Sequence, residues 1–269
     1  MWRPASGVQV MGILNCTPDS FSDGGRHAAV AEAVAAGLAL VADGATWIDV
    51  GGESTRPGAE PVPVEVEIAR VVPVIAGLRA SNPTVGISID TMKGPVARAA
   101  LAAGATMVND VSGGDDADLL TATAEAGAAL VLMHRLGDSR TMQQAPVYGE
   151  VVTEVIAHLA ARVARAEAAG VPRDRLLVDP GIGFGKTVAH NLDLLRALPR
   201  LGRELGLPIL LGISRKRFLA LLGGTPYPAP DALGHLLHVF LAPSCALLRV
   251  HDVRGTMAAL RQAGAVEGG

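Results

Sequence analysis

Short apolar runs rich in Val, Ile and Leu alternate along the chain with longer Ala- and Leu-rich segments. The runs are Val8–Leu14, Thr46–Val50, Thr84–Ile89, Thr106–Asn109, Ala129–Met133, Arg175–Val178, Pro208–Ile213 and Ala246–Val250. Each carries few charges, as strands buried on both faces of a parallel sheet require. Between them the apolar positions recur at helical spacing. Helices are predicted over Ala28–Asp43, Pro63–Ala80, Pro95–Ala103, Ala117–Ala126, Gly149–Ala169 and Val188–Leu205, then from Leu219 onward with a break, and finally over Gly255–Ala263. In the longest of them Val151, Val155, Leu159 and Val163 fall on one face. Gly44, Gly104, Gly127 and Gly170 stand where a left-handed C-terminal cap belongs. Strict strand–helix alternation implies a parallel sheet with helices outside it. Eight such units at this length predict an α/β fold of the closed (β/α)₈ TIM-barrel type over an open doubly wound sheet. No low-complexity linker divides the chain, so residues 1–269 are read as a single domain, with Gly223–Pro230 a loop inside the seventh unit.

Composition sharpens this picture in three places. Of the 269 residues 49% are hydrophobic but only 3% aromatic, so the core must be built from Ala, Val, Leu and Ile. Net charge is −3, from 23 basic and 26 acidic residues, too balanced for a nucleic-acid or membrane surface. Two cysteines, Cys16 and Cys245, make no disulfide framework and point to a reducing compartment. With no signal-type opening run and no apolar stretch of membrane-spanning length, the expectation is a soluble cytoplasmic protein.

Active sites of such barrels lie at the C-terminal ends of the strands. Nearly every predicted strand here ends in polar groups: Asn15, Cys16 and Asp19 after the first, Glu53 to Arg56 after the second, Asp90-Thr91 after the third and Asn109-Asp110 after the fourth. His134 follows the fifth, Asp179 the sixth, Ser214 to Arg217 the seventh, and Arg249 to Asp252 the eighth. One of these ends, V-D-P-G-I-G-F-G-K-T over 178–187, closes like a phosphate-binding loop. That loop needs glycine, four residues, then Gly-Lys-Ser/Thr, and the first glycine would fall on Pro180, which has no N–H to give a phosphate. Asp179 is therefore the point of the segment. Other members have plainer readings. Asp110 is read as a helix N-cap, His134 as a satisfied rim histidine, Cys16 as a small buried hydrophobe, and Asp19 can be an Asx-turn residue. Asp90, Asn109 and Asp179 converging on one mouth are less easily read so. Carboxylates with an amide suit the donor-rich edge of a 2-amino-4-oxo heterocycle. Lys216 supplies a cation for a ring carbonyl or nitrogen, and Arg249 a flat guanidinium for a ring or a phosphate. Asn15 and His251, with a divalent ion, could hold a diphosphate. No zinc-type Cys/His spacing and no nucleophile elbow is present.

The segments Met11–Gly25 (M-G-I-L-N-C-T-P-D-S-F-S-D-G-G), Asp49–Gly58 (D-V-G-G-E-S-T-R-P-G), Ser88–Thr91, Val108–Gly114 (V-N-D-V-S-G-G), Leu132–His134, Asp179–Phe184 (D-P-G-I-G-F), Ser214–Lys216 and Arg249–Val253 (R-V-H-D-V) closely resemble those of the dihydropteroate synthases, in order and along the whole chain. The resemblance implies a Mg²⁺-using transferase of folate biosynthesis that joins 6-hydroxymethyl-7,8-dihydropterin diphosphate to p-aminobenzoate. It implies a pterin pocket of Asp90, Asn109, Asp179 and Lys216 walled by Met133, Phe184 and Gly212. Arg249 would stack on the pterin and, with His251, Asn15 and Thr55, hold the diphosphate, Asn15 matching the Mg²⁺-linked position. Loops carrying Asp19, Phe21, Thr55, Arg56 and Pro57 would close over the pterin and, with Ser214, form the p-aminobenzoate site. Asp90, Lys216, Arg249 and His251 would be the catalytic set. A homodimer is implied too, through the seventh helix, although Pro230–Ser244 lacks the small-residue pattern of that helix. Arg217 stands where many members carry a small hydroxyl residue. Two other readings are a pterin-binding methyltransferase domain, against which Ser54–Gly58 and Ser214–Lys216 argue, and an inactive paralogue serving as a partner protein.

Overall fold

The computed structural model describes residues 7–17, 25–54, 60–137 and 146–264. Among the described residues are eight parallel strands: β1 (Gln9–Asn15), β2 (Trp47–Gly51), β3 (Gly86–Asp90), β4 (Met107–Asp110), β5 (Ala129–Met133), β6 (Leu176–Asp179), β7 (Leu210–Leu211) and β8 (Leu247–Val250). They neighbour one another in the order β6-β5-β4-β3-β2-β1-β8-β7. A parallel bridge between Val178 and Ile209, with the Val178 N–H on the Pro208 carbonyl at 3.1 Å, closes the seam between β6 and β7. This is the expected (β/α)₈ barrel.

The helices are α1 (Gly25–Ala42), α2 (Val64–Ser81), α3 (Gly94–Ala102), α4 (Ala117–Glu125), α5 (Val151–Ala168), α6 (Val188–Arg196), α7 (Leu198–Leu205), α8 (Arg217–Gly223), α9 (Asp231–Leu241) and α10 (Val253–Gln262). α5 buries Val151, Val155, Leu159 and Val163, the face read from spacing, and each such side chain contributes about 1.5–3 kcal/mol. The helix predicted over Val188–Leu205 breaks at Ala197. Pro199, in the first turn of α7, cannot donate back to Leu195, so it starts a new helix instead of continuing the old one. The predicted strand Pro208–Ile213 narrows to Leu210–Leu211, with Ile209 joined to Val178 by the isolated bridge.

Strand parity sorts the side chains into layers. Met11, Trp47, Met107, Val131, Leu177, Leu210 and Leu247 form an apolar cluster separate from the main sheet–helix core. This inner layer uses two methionines and a tryptophan, beyond the Val/Leu/Ile/Ala set expected. The Trp47 indole N–H reaches Gln9 Oε1 at 2.9 Å, and β3 passes the ring only because Gly86 has no side chain to collide with it. Two residues further along the same strands, on the same face, come Asp49, Asn109, Met133, Asp179, Gly212 and Arg249. The fold thus sets a polar layer directly on an apolar plug, at the C-terminal mouth.

Candidate active site

Register aligns the first part of the mouth. Asn15 pairs with Gly51, Gly51 with Asp90, and Asp90 with Asn109, so four neighbouring strands end in one row. Arg249 comes in from β8. Its Nε donates to Asp49 Oδ2 at 2.6 Å and its Nη2 to Asp90 Oδ2 at 2.7 Å, while Asn109 Nδ2 donates to the same Asp49 oxygen at 3.0 Å. Asp49 is fully buried and Asp90 nearly so, and Oδ1 of each is buried without a hydrogen bond. Burial pushes the Asp90 carboxyl up against the pull of Arg249, with Asp49 adding repulsion. Arg249 bridges the two carboxylates, and its guanidinium offsets part of the cost of burying them side by side. The structure therefore places Arg249 against the carboxylate pair, with the outer edge of Asp90 left to accept another donor.

The second part of the mouth is the turn after β6. Asp179 is buried, and its Oδ1 accepts from the Gly181 N–H at 2.7 Å. Lys216, leading into α8, donates to the Ile182 carbonyl at 2.6 Å and stands 4.7 Å from the centre of the Phe184 ring. Burial raises the Asp179 carboxyl against the pull of Lys216, and pushes Lys216 down to about 8 against the pull of Asp179. Gly181 has φ +67° and lies against the His134 carbonyl so closely that any Cβ would collide with it. Gly264 has the same φ with open space around it. Gly264→Ala should therefore cost only the conformational strain, about 1 kcal/mol, whereas Gly181→Ala should cost at least about 3 kcal/mol because backbone must move. Thermal unfolding of the two variants tests this; equal losses would mean that the contact with His134 is not what fixes the turn.

Of the remaining predicted residues, Ser214 and His251 lie together, the Ser214 hydroxyl 3.0 Å from the His251 ring Nδ1 and accepting from the His251 N–H at 3.2 Å. Asn15 is exposed at the end of β1. Met133 is buried beside Asp179, and Gly212 lies 3.7 Å, at its Cβ position, from Lys216 Nζ. Asp19, Phe21, Thr55, Arg56 and Pro57 lie outside the described residues. Cys16 is buried, and burial pushes its thiol up to about 12, as befits an inert hydrophobe. Asp110 does not cap the next helix, which starts only at Ala117. Its carboxylate instead closes its own turn, accepting from Ser112 N, Ser112 Oγ and Gly114 N at 2.6–2.7 Å, and Asp116 caps α4. Sequence reading missed two residues. Asp49 was visible as an acid inside the apolar strand W-I-D-V-G, where burial demands a partner. Lys186 was weighed only as a phosphate ligand, yet it is buried and packed against His134.

Comparison with known proteins gives the family. The family described as pterin binding enzyme matches residues 11–251. The dihydropteroate synthase of Mycobacterium leprae is 51% identical over 267 residues, covering 96% of this chain and 93% of its own. A crystallised dihydropteroate synthase of Xanthomonas albilineans with 4-aminobenzoic acid has 48% identity and a TM-score of 0.88, covering 97% of this chain and 95% of that one. The X. albilineans enzyme in complex with 7,8-dihydropteroate has 46% identity and a TM-score of 0.85 over the same shares.

Proposed function

This chain belongs to the dihydropteroate synthases among the pterin-binding enzymes, and we propose that its barrel mouth divides their reaction between a pterin face and a diphosphate face. The enzyme condenses 6-hydroxymethyl-7,8-dihydropterin diphosphate with p-aminobenzoate, releasing diphosphate. The pterin face is Asp179, Asn109, Asp90 and Lys216, with Met133, Phe184 and Gly212 as walls. One observation carries this reading: buried acceptors at Asp179 and Asp90 and a buried amide at Asn109 share a mouth with a lysine whose ammonium is held at its rim. Acceptors suit the amino and ring N–H groups of the pterin, and the ammonium suits its carbonyl or ring nitrogen. The diphosphate face is Arg249, His251, Asn15 and Thr55, with Ser214 beside His251. Ser214 also serves p-aminobenzoate, together with Asp19, Phe21, Thr55, Arg56 and Pro57.

The chemistry follows from where charge develops. The electron-rich dihydropterin supports positive charge at its methylene, so C–O cleavage runs ahead of amine attack in an SN1-like displacement. Asp90 and Asp179 favour that cation from the ring side, while Arg249 and His251 favour the departing diphosphate. The aromatic amine is neutral at pH 7, so no strong general base is needed. Among the described residues no three His, Cys, Asp or Glu side chains gather as a metal cage. Mg²⁺ fits this, because it takes one or two protein oxygens together with phosphate oxygens and water. Asn15 would supply such an oxygen, and the ion would neutralise diphosphate charge. We further propose a single cytoplasmic domain that works as a homodimer. Among the described residues no helix is long and apolar enough to cross a membrane, and both cysteines are free. Leu221, Leu222, Tyr227, Leu236 and Phe240, on and between α8 and α9, are exposed apolar side chains that a second subunit would cover.

The purified protein with Mg²⁺ should release diphosphate from the pterin substrate and form dihydropteroate when p-aminobenzoate is added. Tight binding of methyl-tetrahydrofolate without dihydropteroate would favour the methyltransferase reading, and no turnover with either would favour a partner protein.

A further inference from the structure

We propose that Lys186 is a positioning residue of the pterin face: its buried ammonium fixes the 181–185 turn in the conformation that presents Asp179, Phe184 and the Ile182 carbonyl together. The inference rests on the assignment of Asp179 and Lys216 to that face.

Lys186 is 4% exposed. Its Nζ donates to the Gly181 carbonyl at 2.9 Å and to the Phe184 carbonyl at 3.0 Å, and stands 2.9 Å from His134 Nδ1. Burial pulls the Lys186 pKa down to about 7 against the pull of Asp179, and the carbonyls around it favour the charged form; with the His134 carbonyl further off at 3.5 Å, the three nearer acceptors take all three N–H groups of the ammonium. No donor is left over for a substrate, so Lys186 acts through the turn and not on the reactants. The arrangement is also the inverse of a phosphate loop. There, backbone N–H groups surround an anion; here carbonyls surround a cation, which answers structurally what Pro180 answered in sequence.

The turn needs such a centre. Gly181, Gly183 and Gly185 all have positive φ, at +67°, +84° and +64°, and bring no side chains that could hold the backbone by packing. Gly181, whose N–H holds Asp179, and Phe184, a wall of the pocket, are the two whose carbonyls Lys186 binds. Between them the Ile182 carbonyl turns the other way, to Lys216, and the Gly183 N–H goes to the buried Asn191 Oδ1 at 2.8 Å. The Gly181 N–H holds Asp179. Freeing the two carbonyls would let Gly181 rotate, and Asp179 and the Lys216–Phe184 stack would lose their common frame.

His134 completes the cradle. To accept from an ammonium, Nδ1 must carry its lone pair, so the ring is neutral with its proton on Nε2. Burial and Lys186 push its pKa down to about 2, in keeping with that form. The tautomer yields a discriminating substitution. Asparagine places Oδ1 near where the histidine places Nδ1, and so keeps the acceptor, whereas leucine removes it.

The test is calorimetric titration with 6-hydroxymethyl-7,8-dihydropterin and, separately, with inorganic diphosphate plus Mg²⁺. Lys186→Met should weaken pterin binding about 10- to 100-fold and leave diphosphate within about twofold, since that ligand meets Arg249 and His251 instead. In turnover, KM for the pterin substrate should rise by more than kcat falls. His134→Leu should weaken pterin binding about 3- to 10-fold, and His134→Asn should recover most of that loss. Normal pterin affinity in Lys186→Met overturns the proposal, and so do equal losses for pterin and diphosphate, which mark a merely structural residue. Should Lys186→Met fail to fold, the two His134 variants decide: equal affinities in leucine and asparagine variants overturn it. Asp179→Asn separates this inference from the one beneath it. If Asp179→Asn binds pterin normally, the pterin-face assignment itself is wrong; if it binds weakly while Lys186→Met binds normally, only the role of Lys186 is.

Discussion

Asp179→Asn is expected to weaken pterin binding by about 2–4 kcal/mol, roughly 30- to 1000-fold. The size follows from the Gly181 N–H, which already takes Asp179 Oδ1 at 2.7 Å. An asparagine there keeps its oxygen on Gly181, because the alternative sets two donors against each other. Its NH₂ must then face the pocket, where the pterin presents its own amino and ring N–H donors. The substitution removes a charge-assisted bond and leaves a buried mismatch, while the turn keeps its shape. Calorimetry with 6-hydroxymethyl-7,8-dihydropterin reads the loss, and a variant within about twofold of the parent would remove Asp179 from the pterin face.

Arg249→Met should damage folding and turnover together. Without the guanidinium, Asp49 and Asp90 are two buried carboxylates with no cation between them, a loss of about 3–5 kcal/mol in stability. The diphosphate loses its donor as well, and kcat should fall at least about 100-fold. The pH dependence has a definite sign. Arg249 is what pulls the Asp90 carboxyl down against its burial; removing it raises the folded pKa of Asp90 further above its unfolded value. Carboxyls raised in this way favour folding below the unfolded pKa and lose that contribution as pH rises through the folded one. The stability deficit of the variant relative to the parent should accordingly be smaller at pH 5 than at pH 8. Adding Asp49→Asn should return part of the stability and none of the turnover. A deficit that is flat in pH, or rescue of turnover by the second change, would contradict the bridging role.

The barrel was legible because parallel strands buried on both faces leave short uncharged runs, and because glycines stop the helices between them. The site was legible where a polar residue ended such a run: Asp90, Asn109, Asp179 and Arg249 each do, and the register brings them to one mouth. What sequence reading lost was contact across the barrel. Asp49 precedes its strand's end by two residues, so a reading of strand ends passed over it, although parity with Trp47 puts it on the inner face. Lys186 follows a glycine run that matches a familiar phosphate motif closely enough to absorb attention. Nothing local says that its ammonium turns inward to His134, 52 positions earlier in the chain. The helix break at Ala197 was written in Pro199, which apolar spacing alone passes over, whereas the capping of α4 by Asp116 and not by its neighbour Asp115 is a local choice that spacing does not decide.

The most direct measurement is a crystal structure of the protein with 6-hydroxymethylpterin bound. The expected result is a pterin in the barrel mouth, its amino edge at about 3 Å from the Asp179 carboxylate and its ring beside Asn109, Lys216 and Arg249. A separate cavity of about 390 Å³ lies between α1 and α2, lined by Cys16, Val30, Ala33 and Arg70. A pterin found there, with Asp179 still bonded to Gly181 alone, would contradict the assignment.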